Sequence, residues 1–96
     1  MLFMGILTWE PEKRDEVIQR RTQWKYPEGV KRIGEWSDLT GNRVFSLAEI
    51  DDPKAMLAAA SAWSDIANLE IVPLMETEEV LKLLEVEKAM RREPAD

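Results

Sequence analysis

From Leu2 to Trp9 the chain is apolar almost without a break. A run this short, apolar on both faces, predicts a central β-strand covered on both sides. Pro11 then suits the first turn of a helix, and Glu12, Asp15 and Glu16 suit the positive end of its dipole, so a helix is expected from Pro11 to about Gln23. Its apolar stripe, Val17, Ile18 and Trp24, is thin and is interrupted by Arg14 and Arg21. Tyr26-Pro27-Glu28-Gly29 reads as a turn, because the residue before proline avoids helix and glycine accepts positive φ. Strands follow at Val30 to Trp36 and Arg43 to Ile50, joined by a hairpin turn at Thr40-Gly41-Asn42. A period of two puts Arg32, Gly34 and Trp36 on one face with Arg43, Phe45, Leu47 and Glu49. Ile33 and Glu35 then share the other with Val44, Ser46, Ala48 and Ile50.

Asp51-Asp52-Pro53 offers a carboxylate cap followed by proline, which predicts a second helix running to about Ile66 with Met56, Ala59, Ala60 and Trp63 buried. Leu69 to Met75 is a fourth strand, and Pro73 within it confines it to an edge. Thr77 caps a last helix over residues 77–91, with Glu78 and Glu79 in its first turn and Val80, Leu81, Leu83 and Leu84 as its apolar face. Glu87 and Arg91 are spaced for an ion pair, and the chain beyond Arg92 is expected to fray. The succession of elements is that of an α+β, ferredoxin-like βαββαβ sandwich with an appended helix, a single domain over residues 1–96 whose core is 1–84. Right-handed crossovers give the strand order 4-1-3-2.

Two helices cover one face of such a sheet, yet these strands lack the polar alternation that a wet second face requires. Either the last helix or a second copy must cover it, and a homodimer of the dimeric α/β barrel type is expected. The segments Gly34-Glu35-Trp36-Ser37-Asp38-Leu39, Arg43-Val44-Phe45, Asp51-Asp52-Pro53, Trp63-Ser64-Asp65 and Glu70-Ile71-Val72-Pro73-Leu74-Met75-Glu76 resemble a family of short proteins known only as a domain of unknown function. The resemblance spans nearly the whole chain. It implies a ferredoxin-like, dimeric α/β barrel fold and brings no catalytic residues with it.

Composition narrows the chemistry. The chain has neither cysteine nor histidine, which excludes disulfides, thiolate metal sites, a cysteine nucleophile and triads built on histidine. Adjacent Asp51 and Asp52 are accounted for by helix capping, and no cofactor or metal is expected. A formal charge of −6 argues against nucleic acid or an anionic membrane as partner. No glycine-rich phosphate loop or RNP-like strand is present. The first residues lack a basic leader and no apolar run approaches a membrane span, so a cytoplasmic protein is expected.

Three groups remain as candidate sites. Glu35 lies beside the small Ser46 and Ala48, where a desolvated carboxylate with a raised pKa would serve as acid or base; the plainer reading is a rim carboxylate paired with a cation. Trp9, Trp24, Trp36 and Trp63 offer walls for a flat ligand, or simply core and dimer packing. Arg14 and Arg21 on the inward stripe suit a ligand carboxylate or phosphate, or snorkel outward to acidic neighbours. Arg32 and Glu49 read as a cross-strand pair. A ligand site built on Arg21, Glu35, Trp36, Ser46 and Trp63 is therefore expected, in a non-catalytic or ligand-sensing dimer. The alternative, by analogy of fold, is a cofactor-independent isomerase or monooxygenase acting on a small aromatic or ketone-like substrate.

Overall fold

The computed structural model describes residues 1–92, so the expected fraying of the tail lies outside the described residues. Four strands, β1 (Leu2–Thr8), β2 (Val30–Ser37), β3 (Arg43–Ile50) and β4 (Asn68–Leu74), form one sheet in the order β2-β3-β1-β4. Every neighbouring pair is antiparallel, and the order is the predicted one. The helices are α1 (Arg14–Thr22), entered through a 3₁₀ turn at Pro11–Lys13, then α2 (Pro53–Ser61) and α3 (Thr77–Arg92). Asp52 caps α2 by accepting a hydrogen bond from the Lys54 amide at 2.9 Å, with Pro53 opening the helix as its sequence predicts.

Buried residues fall in two clusters on the helix side of the sheet. Val17 of α1 packs with Trp63 and Ile66, and Ala55 of α2 packs with Ala48 and Ile50 of β3. Gly29 permits the second cluster to close: its φ is +93°, and a Cβ there would lie 3.0 Å from the Cβ of Ala55. The opposite face carries Leu2, Met4, Ile6, Phe45, Leu47, Val72 and Leu74, none of them buried. Trp36 lies on this face as well, 55% exposed, with its ring across Gly34. The centre of the face is apolar and uncovered, with Lys31, Arg43, Glu49, Asn68 and Glu70 around its margin, and Arg43 lies over the Phe45 ring at 5.0 Å.

Three expectations are corrected. The hairpin register shifts between Arg32 and Gly34, leaving Ile33 as an exposed bulge rather than a companion of Glu35. The same shift pairs Arg32 with Ala48 and Lys31 with Glu49, so Arg32 and Glu49 are not partners; Glu49 instead meets the Met1 amino group at 3.2 Å. Helix α2 stops at Ser61 rather than Ile66, and Trp63 sits in the turns that follow. Ser61, Ser64 and Asp65 favour turns over helix, and the Ser64 hydroxyl donates to the Ser61 carbonyl at 3.2 Å. The Glu87–Arg91 ion pair is present on α3.

Candidate functional site

Between the sheet and the helices lies a cavity of about 90 Å³. Its sheet wall is Phe3, Gly5 and Leu7 of β1 with Val44, Ser46 and Ala48 of β3, the alternate residues that a pleated strand turns to one side. Small residues line the space: a Cβ built on Gly5 would make ordinary contacts, with Leu69 Cδ1 at 3.5 Å, the Ser46 carbonyl oxygen at 3.8 Å and Ser46 Cβ at 4.0 Å. Trp24 and Trp63 close the helix side, their rings edge to face at 5.4 Å and 64°.

The polar end of the cavity is Glu35, whose side chain is only 12% exposed. Arg21 donates to it through Nε at 2.9 Å and Nη2 at 3.0 Å, and the Tyr26 hydroxyl donates at 2.8 Å. Arg32, brought to this face by the bulge, stands 3.9 Å away. Burial is the largest single influence on the Glu35 carboxyl and pushes its pKa up, but Arg21, Tyr26 and Arg32 together outweigh it. The group is therefore held below its ordinary value of 4.5, which accords with the reading of a carboxylate paired with a cation and not with the raised pKa of the acid–base reading. Burial pushes the Tyr26 hydroxyl up, with Ser46 opposing and Glu35 reinforcing, so Tyr26 keeps its proton and stays a donor. An ionised carboxylate with three donors on it is a fixed anchor.

Leu7, Arg21, Glu35, Val44 and Trp63 line both this cavity and an open outer groove of about 660 Å³. The Arg21–Glu35 pair is thus among the residues shared by the two. Arg14 lines only the outer groove and is exposed, contrary to its expected place on the inward stripe. It opens the α-helix directly after a 3₁₀ turn, whose three-residue period breaks the phase assumed for it. Of the five expected site residues, Arg21, Glu35, Ser46 and Trp63 come together around the cavity, while Trp36 stands on the far face.

Two participants were not legible as such. Tyr26 reads as a turn residue, although a hydroxyl nine positions before a carboxylate across a tight turn was available as a signal. Arg20 spans Trp63, with its Cζ 5.7 Å from the ring centroid, and grips Asp65 bidentately at 2.6 and 2.9 Å. It also donates to the Ala62 carbonyl at 2.7 Å, which pins the Trp63 turn against α1.

The Arg20 hydrogen bonds hold the Asp65 carboxyl down to about 2. Because the unfolded chain protonates this group near its ordinary 3.8, the stability it lends is whole above that pH and disappears as pH falls toward 2. Urea midpoints of the native protein and Asp65→Asn should accordingly converge between pH about 4 and 2. A gap that stays constant across that window contradicts the pairing.

Among the described residues no group of acidic side chains is placed to hold a metal ion, and no helix is long and apolar enough to cross a membrane. Fold and site define a small α+β domain of ferredoxin-like strand order with a half-open apolar cavity beneath its helices. The chain belongs to the family described as Domain of unknown function (DUF3303), whose model matches residues 1–88. No curated protein and no solved structure matches it.

Proposed function

We propose that this protein is a non-catalytic, homodimeric module that holds a small, mostly apolar molecule between its helices and its sheet. The observation that carries the reading is an apolar cavity ended by one cluster of Arg21, Glu35 and Tyr26, the arrangement of a pocket that orients a ligand by a single polar group. The space of about 90 Å³ is smaller than the roughly 150 Å³ that accommodates benzene, so a molecule held wholly between helices and sheet has only a few heavy atoms while Arg21 stays on Glu35. An alcohol or ketone of four or five heavy atoms fits that limit. The homodimer is supported by the uncovered apolar sheet face, and a chain without cysteine suits a cytoplasmic setting.

The enclosed carboxylate beside Ser46 and Ala48 favours one second reading, a cofactor-independent isomerase- or monooxygenase-like enzyme with Glu35 as base. Three donors on Glu35 lower its basicity and weigh against that role. Titration with isobutanol, followed by the fluorescence of Trp24 and Trp63, tests the binding reading. Gly5 leaves room for a Cβ in ordinary contact with Leu69 and Ser46, so the two further methyls of Gly5→Val take up space at the cavity wall, and this variant should bind at least tenfold more weakly than the native chain. Equal responses in the two proteins, or none in either, overturn it.

A further inference from the structure

We infer that the dimer forms by exchange of its last helix, with α3 of each protomer lying across the uncovered sheet face of the other. The inference rests on the dimer reading above and specifies what the interface is made of. Helix α3 is a surface without a partner: from Thr77 to Arg91 every residue but Val80 is exposed. Leu81, Leu83, Leu84, Val86 and Met90 are each more than half exposed. The long axis of the molecule is 63 Å against 30 and 21 Å for the others, as expected of a helix of about 24 Å standing off the body of the domain. Most of the stability of a helix in a protein comes from packing its apolar face, so α3, 16 residues long and exposed, needs something to pack on.

The sheet face has the opposite need. Four strands spaced about 4.8 Å apart, each seven or eight residues at about 3.3 Å, give the whole face, its charged margin included, a flat area of roughly 440 Å². Stable interfaces bury about 800 Å² per partner, so two such faces alone fall short. One side of α3, about 24 by 10 Å, adds roughly 240 Å² and closes most of the gap. Only Met75 and Glu76 join β4 to α3, which holds the helix outward from its own sheet and leaves the face of a second copy as its seat. A two-fold axis then satisfies both surfaces of both chains at once.

The chain has no cysteine of its own, so paired single-cysteine variants report the contact directly. Leu84→Cys and Leu47→Cys chains are mixed, allowed to exchange, and treated with a short bismaleimide. A covalent species joining the two different chains is expected, and Leu84→Glu should raise the dissociation constant of the dimer at least tenfold by light scattering. A dimer in which only Leu84→Cys chains link to each other overturns the exchange and leaves the dimer standing. So does a chain carrying both Leu47→Cys and Leu84→Cys that links within itself while the single variants do not link to each other, which would place α3 on its own sheet. A scattering mass near 11.1 kDa overturns the dimer and the exchange together.

Discussion

Trp63→Ala should remove about 3–5 kcal/mol of folding stability, the largest loss expected from any single truncation in this domain. Trp63 is 5% exposed and is the centre of the first core cluster, touching Val17, Ile66 and Trp24 and lying under Arg20. Few other side chains share the load, because only Val17, Ala48, Ile50, Ala55, Trp63 and Ile66 are buried among the described hydrophobic residues. A domain of 96 residues has a total stability of roughly 5–14 kcal/mol, so the variant should be largely unfolded or shifted to a much lower urea midpoint. Leu39→Ala is the matching control: this leucine is 98% exposed, and its loss should change stability by no more than about 0.5 kcal/mol. Equal midpoints for the two variants would contradict the placement of the core.

Arg21→Ala should have the second largest effect, and it acts through Glu35. With two hydrogen bonds gone, a carboxylate that is 12% exposed keeps only Tyr26 and the more distant Arg32. Leaving a charged group so poorly satisfied costs about 1–3 kcal/mol. Burial, already the largest influence on this group, then has less opposing it, and the Glu35 pKa should rise from its depressed native position. Carbon-detected NMR titration of the Glu35 carboxyl reads that movement. Glu35→Gln in the same background should recover part of the lost stability, because an amide needs no counter-charge. A Glu35 pKa that is unchanged by Arg21→Ala contradicts the ion pair as the polar end of the cavity.

Strand order was legible because its punctuation is local: Pro11, Asp52-Pro53 and Gly41 each mark a boundary whose conformation the residue itself imposes. The bulge was not, since Ile33 is a β-branched residue indistinguishable in pattern from an in-register strand position. Its consequence reached the site, for it moved Arg32 from Glu49 to Glu35. Glu35 beside Ser46 and Ala48 was legible from alternation alone. Its electrostatics were not, because they depend on Arg21 and Tyr26 approaching from a helix and a turn whose docking no periodicity encodes. The thin apolar stripe of α1 has the same origin: Arg21 occupies an inward position because the cavity needs it there, and Arg20 lays its stem across Trp63. The bare sheet face and the apolar residues of α3 were each visible in sequence, but only the structure shows them standing apart.

The binding claim is tested most directly by mapping isobutanol onto the protein with two-dimensional amide NMR. Saturable shifts are expected, confined to Gly5, Ser46, Ala48, Ala59 and their neighbours around the cavity, with the amides of Leu74 and α3 unmoved. Shifts that map instead to the open sheet face, or that grow linearly without saturation across the whole chain, would contradict it.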